Sequence, residues 1–305
     1  MIVDVHTHLW NQPQQLGPGT LARLQNRPDA QWDQRDSSPT AYDDAMEPVD
    51  CAFILGFESR HMDASIPIDQ VAGYARRRPD KYVGFAGIDP LIDGFLDRVD
   101  QAVEQKLAGV TISPAAQACH PTHSNTMKLY EKCQTLGLPV MVHPGTHMAA
   151  SAMMEFSRPH LFDEVGRTFP DLHVILAQVG HPWVDEALLL VGKHPNFYAD
   201  LSDVSSRPWQ LYNTLLLAYQ QGVTEHLLIG SDFPFSTPQE TVVNVYSVNQ
   251  QTHGTSLTTI PRATLQAIVE RDVLSCLGIA DKVSITPQAA SDDDDAESES
   301  EPSAA

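Results

Sequence analysis

A chain of 305 residues, 42% of them apolar, can bury a large core, and barrels of about this size commonly form one domain. Its formal charge of −20 would repel nucleic acid. The apolar runs at 188–191 and 215–218 fall far short of the roughly 20 residues a bilayer-crossing helix needs, so no membrane association is expected.

Taken in chain order, the first strand is expected at 2–5, within a start that carries Asp4 and His6 and lacks the basic-then-apolar layout of a secretory leader. Residues 11–39, rich in Gln, Pro, Asp and Asn, form a long first connection that could cover one end of the molecule. Further strands are expected at 51–57, 82–88, 109–112, 139–142, 174–177, 197–201 and 226–230. Helical patterns lie between them, for instance at 68–78, 94–105, 126–136, 184–192, 209–220 and 238–249, with a last one over 262–277. Eight strands alternating with helices imply parallel pairing and close naturally into a (β/α)8 TIM barrel of the α/β class, a single domain over 1–285. An open doubly wound sheet usually shows a glycine-rich phosphate loop after its first strand, and none is present.

Residues 286–305 hold four Asp and three Glu with no base, and too little apolar surface to offset the entropy of ordering, so this acidic tail is expected to be disordered. Cys51, Cys119, Cys133 and Cys276 are widely spaced, without a Cys-x-x-Cys pair, which suggests neither a thiolate zinc site nor a disulfide framework. A reducing cytoplasm fits best.

Functional groups of such barrels gather where the strands end. The first strand runs into His6-Thr7-His8, and residues two apart on an extended segment point the same way. With 13 His in the chain the pair alone is a weak signal; its position gives it weight. The fifth strand ends on His143 and the eighth on Asp232, where apolar runs gain nothing by stopping on a polar group. Each alone could be a loop residue satisfied by hydrogen bonds. Together, three imidazoles and a carboxylate at one rim suit a divalent cation with an open position.

These motifs, His6-Thr7-His8, Val142-His143-Pro144-Gly145, the turn from Gln178 through Gly180-His181-Pro182 to Trp183, and Gly230-Ser231-Asp232-Phe233-Pro234, resemble the amidohydrolase superfamily. More narrowly, they resemble its amidohydrolase-related branch, which includes the aminocarboxymuconate-semialdehyde decarboxylase-like enzymes. The similarity spans nearly the whole chain before the tail. It implies a metal-dependent hydrolase or a non-oxidative decarboxylase, with His6, His8, His143 and Asp232 as metal ligands. The His3Asp set suits zinc first, with manganese or iron open.

Two departures stand out. The sixth strand of similar proteins commonly ends on a catalytic or ligating His, and here the position is Gln178, an amide that cannot shuttle a proton near neutral pH. Asp232 could then act as the base, His181 could substitute, or binding alone could remain. The missing histidine also argues for one ion rather than two. Thr111 stands where similar proteins often have Lys.

Arg60 with His61 after the second strand, Arg207 with Trp209 after the seventh, and Trp10 beside the His pair are candidate substrate contacts, the arginines for a substrate carboxylate. Cys119-His120-Pro121-Thr122-His123 resembles a ligand cluster only superficially and reads as a loop. The leading expectation is a mononuclear metal-dependent hydrolase of a small polar or carboxylate-bearing molecule, with Asp232, Gln178 and His181 as catalytic candidates. A metal-dependent decarboxylase comes second and a non-catalytic binding protein third. The partner is expected to be the small-molecule substrate, and a homodimer is left open.

Overall fold

The computed structural model describes residues 1–25, 36–145 and 149–285. Eight strands, β1 (Val3–Thr7), β2 (Cys51–Leu55), β3 (Tyr82–Gly87), β4 (Gly109–Ile112), β5 (Val140–Val142), β6 (Val174–Leu176), β7 (Phe197–Asp200) and β8 (Leu227–Leu228), pair in sequence order, each parallel to the next. The sheet closes on itself. Val5 N–H donates to Ile229 O (2.9 Å) and His8 N–H to Phe233 O (2.9 Å), and Thr7 bridges Phe233 in parallel. The architecture is the expected (β/α)8 barrel.

Alternation along the strands sorts their side chains into two layers. Ala52, Ile54, Val110, Val140, Val142, Val174 and Leu176 pack outward under the helices. Val3, Val5, Phe53, Phe85, Met141, Ile175 and Leu228 fill the barrel, where Phe53 and Phe85 stack with ring centroids 5.0 Å apart. The outer helices carry the matching stripe. In the helix Phe95–Glu104, Phe95, Val99 and Ala102 are buried at the spacing of one helical face.

Several expected elements are resized for local physical reasons. The segment expected as one helix over 262–277 is two, Arg262–Val269 and Val273–Cys276, because Asp272 turns aside to accept the Ser275 N–H and cap the second. Val273, Leu274, Leu277 and Ile279 then share the inner cluster with Val3, Cys51 and Val83, the early residues of their strands, and so plug the barrel at its N-terminal end. The helix Pro238–Tyr246 starts on a Thr237–Glu240 capping box and gives way to a 3-10 segment, Val248–Thr252. β2 ends at Leu55, two residues short of the expected strand over 51–57, and a short antiparallel hairpin, Glu58–Ser59 with Ala64–Ser65, follows it.

Within the first connection, helices form at Pro18–Gln25 and Pro39–Ala45, the latter with Pro at its first position and Ser38 accepting the Ala41 N–H. Residues 26–35 of that connection, and the expected disordered tail at 286–305, lie outside the described residues. No helix among the described residues is long and apolar enough to cross a membrane.

Candidate metal centre

One irregularity in β1 aims the first two candidate ligands. Asp4 pairs with Ala52, but Thr7 pairs with Ile54, so three steps on β1 match two on β2, which is a β-bulge. Without that extra residue, strict alternation from Val3 and Val5 would send His6 away from the interior. With it, Thr7 turns outward to Tyr42 Oη (2.8 Å) and to the Phe53 carbonyl, while His6 meets Asp200 inside the barrel. Asp4, fully buried, ties the join: its Oδ1 accepts the His6 N–H (3.1 Å) and the Ser231 N–H (2.9 Å). Burial raises its carboxyl to about 6.

His6, His8 and His143 each turn a ring nitrogen to one point, and the three atoms lie within 4.8 Å of one another. His6 Nε2 and His8 Nε2 are 3.1 Å apart, and Asp232 Oδ1 stands 3.6 Å from the first and 3.5 Å from the second. The ring centroids are separated by 4.8 to 5.3 Å. The three imidazoles therefore converge from the C-terminal ends of β1 and β5, and Asp232, past the end of β8, stands beside the two from β1.

The donor set fits a cation. His6 Nδ1 faces Asp200 Oδ2 at 3.0 Å, and the Leu55 carbonyl accepts a hydrogen bond from the His8 ring, so each ring spends a proton away from the centre. His143 Nε2 is buried and has no hydrogen-bond partner. A buried polar atom without a partner costs on the order of 1–3 kcal/mol, and a metal ion removes that cost.

Burial opposes charge on His6, but the adjacent Asp200 carboxylate, with Asp232 and Asp4, outweighs it and holds the ring up to about 9. Burial and the facing His6 push His8 down to about 3, and the same two causes hold His143 well below the usual range. Burial lifts the Asp232 carboxyl to about 7 against the pull of His6, with Asp203 and Asp200 adding to the rise.

Gln178 reaches this centre. Its Nε2 donates to Asp232 Oδ2 (3.1 Å), and its own N–H donates to Asp200 Oδ1 (3.1 Å). To turn inward, the backbone passes through the left-handed region at Gln178 (φ 56°) and Val179 (φ 44°), conformations that cost a side-chain-bearing residue energy. Asp232 is also left-handed, at φ 61°.

The remaining candidates are scattered. His181 is half-buried beside a second cluster: its Nδ1 lies 3.8 Å from Asp203 Oδ2 and its Nε2 3.5 Å from Arg207 Nη1. Arg207 is engaged by Asp203 Oδ1 (2.7 Å) and Gln210 Oε1 (3.1 Å). Asp203 shifts Asp232, so this cluster borders the metal centre. Arg60 is exposed, and its N–H donates to Asp89 Oδ2 (2.8 Å). His61 Nε2 pairs with the Ser151 carbonyl (2.9 Å).

Trp10 is buried at 7% exposure and packs 6.3 Å from Phe235, whereas Trp209 is 56% exposed and neighbours Tyr212. Thr111 spends its hydroxyl on the Gly56 and Ala86 carbonyls. His123 caps the helix Ser124–Leu136, and His120 Nδ1 accepts the Thr122 N–H, as a loop would use them.

Sequence reasoning missed Asp200, Ser202 and Asp4. Asp200 carried the signal that singled out Asp232, a carboxylate ending an apolar run, and could have been read the same way. Asp4, inside a strand, offered no such signal.

A family profile described as amidohydrolase matches residues 3–268. No curated protein matches the chain. Among solved structures, an uncharacterized TIM-barrel protein from Bordetella bronchiseptica is 19% identical with a TM-score of 0.66, over 91% of this chain and 99% of that one. An amidohydrolase from Burkholderia multivorans with bound zinc is 14% identical with a TM-score of 0.66, over 91% and 99%. A dihydroxybenzoic acid decarboxylase from Polaromonas sp. JS666, with bound manganese and the inhibitor 2-nitroresorcinol, is 14% identical with a TM-score of 0.65, over 92% and 98%. At these identities the structures speak to the barrel alone, while the profile spans most of the chain; the chain belongs to the amidohydrolase family.

Proposed function

We propose that the chain is a metal-dependent hydrolase of a small polar or carboxylate-bearing molecule, using one divalent cation held by His6, His8, His143 and Asp232. The observation that carries this reading is the convergence of three imidazole nitrogens within 4.8 Å, beside a carboxylate, with the His143 Nε2 buried and without a partner. A cation bound there supplies Lewis acidity toward water and a substrate carbonyl; zinc suits the donors, as do manganese and iron. Asp232 turns Oδ1 toward the ligands, accepts the proton of the attacking water and returns it to the leaving group.

Gln178 cannot titrate, and its amide N–H holds Asp232 in place. Arg207, with His181 beside it, is the candidate contact for a substrate carboxylate. The partner is this small molecule rather than nucleic acid, in keeping with a net charge of −20, and the setting is the cytoplasm.

The test is turnover on a panel of esters, lactones and amides. Asp232→Asn should lower kcat by about 10²- to 10⁴-fold. Gln178→Ala should cost only about tenfold, since it removes a support and not the base. An unchanged rate in Asp232→Asn removes the mechanism.

A second reading, non-oxidative decarboxylation, draws on a solved structure with the same barrel, the Polaromonas dihydroxybenzoic acid decarboxylase. The bond from carbon to carboxylate would break, its electron pair would stay on carbon, and the Asp232 carboxyl would deliver the proton there. Carbon dioxide released from aromatic or unsaturated acids, with no hydrolysis of the first panel, selects this reading. Stoichiometric metal with no turnover on either panel selects a binding protein.

A further inference from the structure

Asp200 contacts two of the residues at the centre, His6 and Gln178, without reaching the point where the ligands converge. It is fully buried at the end of β7, and its two oxygens face different elements. Oδ1 accepts three hydrogens: the Gln178 N–H (3.1 Å), the Ser202 N–H (2.9 Å) and the Ser202 hydroxyl. Oδ2 lies 3.0 Å from His6 Nδ1. Ser202 Oγ also lies 3.0 Å from His6 Nδ1, and because its hydrogen is committed to Asp200 Oδ1, it presents a lone pair to the ring. Two acceptors thus face His6 Nδ1 and none of its neighbours there donates, so the proton sits on Nδ1 and the Nε2 lone pair is left for the centre.

The same carboxylate anchors the Gln178 backbone in its left-handed conformation, from which Gln178 Nε2 reaches Asp232 Oδ2. His6, Asp200, Gln178 and Asp232 form a closed ring drawn from β1, β7 and the ends of β6 and β8.

We propose that Asp200 is a positioning residue: it fixes His6 as the Nδ1–H tautomer and, through Gln178, fixes the rotamer of Asp232, so that cation affinity depends on a carboxylate that touches neither cation nor substrate. This rests on the metal-site reading above.

The isosteric variant Asp200→Asn tests it, and the structure dictates which way the new amide lies. The Oδ1 position takes three donated hydrogens and must remain oxygen, which puts the NH2 against His6 Nδ1. Two donors cannot face each other, so the His6 proton moves to Nε2 and points at the cation position. A histidine whose ring proton is on the wrong nitrogen keeps its place and loses its function.

Zinc or manganese is titrated into metal-free wild type and variant, alongside thermal unfolding of both metal-free proteins and nitrogen-15 spectra of labelled histidine, the last two measured above about pH 9, where His6 holds a single ring proton. Asp200→Asn should bind the ion about 10- to 100-fold more weakly, with an unchanged unfolding temperature of the metal-free protein. Wild-type His6 should show the proton on Nδ1 and the variant on Nε2. Equal affinity in the two proteins, or a wild-type His6 protonated on Nε2, overturns the proposal. The spectrum of the wild type decides even if the variant does not fold. A wild type that binds no divalent ion at all would instead overturn the metal-site reading, and the tautomer at His6 would still be read independently.

Discussion

Consider zinc titrated into the metal-free protein at a series of pH values. A ligand must offer a lone pair, so binding releases any proton the ligand atoms hold. His6 is held up to about 9, chiefly because Asp200 outweighs the burial that opposes its charge, so at neutral pH the metal-free protein carries a proton there. Asp232, raised by burial to about 7, takes up a second proton as the pH falls through that value. His8 and His143 are held low and add none over this range.

The sign follows. Both shifts are upward, so affinity is complete above about 9 and is lost as the pH falls, by tenfold per unit per proton. From roughly pH 9 to 7 one proton is displaced and affinity should drop about 100-fold; from roughly 7 to 5 two are displaced and it should drop about 10⁴-fold. Calorimetry in buffers of differing ionisation enthalpy measures the protons released, and chelator competition measures the affinity. Affinity that stays flat between roughly pH 8 and 6 would refute the charge assignments at His6 and Asp232.

Two further predictions concern packing. A methyl group added at Gly230 would sit 2.8 Å from His6 Cβ and 3.1 Å from Asp200 Oδ1, so Gly230→Ala must push apart the pair that orients the first ligand. It should cost about 1–3 kcal/mol in urea unfolding and weaken zinc binding at least tenfold; wild-type affinity would show that the strand end relaxes elsewhere. Phe53 is fully buried and stacked on Phe85 inside the barrel, below the metal centre. Phe53→Ala should cost about 3–5 kcal/mol, read by denaturant unfolding, and a loss under about 1 kcal/mol would mean that the inner layer is not close-packed there.

Much of the barrel was legible because two patterns report different things. Short continuous apolar runs mark strands buried on both faces, a 3.6-residue stripe marks helices, and their strict succession leaves few topologies open. The boundaries were less legible. Asp272 ends one helix and caps the next, and nothing in the apolar pattern of 262–277 announces that break. The four candidate ligands could be found because each interrupts or ends an apolar run. Asp200 did so as well, but its partners lie 22 and 194 residues away, and its importance comes from them.

By itself the sequence determined that His6 and His8 share a face, that His143 and Asp232 end their strands, and that Gln178 cannot relay a proton. These are properties of residue type and strand period, fixed before any fold is chosen. Which face the His pair takes was decided only when β1 met β2 and accepted a bulge between Asp4 and Thr7, because alternation counts residues and cannot sense one that is left unpaired. The use of Gln178 was likewise settled in three dimensions. An amide becomes a support for a carboxylate only when strand closure brings Asp232 to 3.1 Å and Asp200 holds the backbone that carries it.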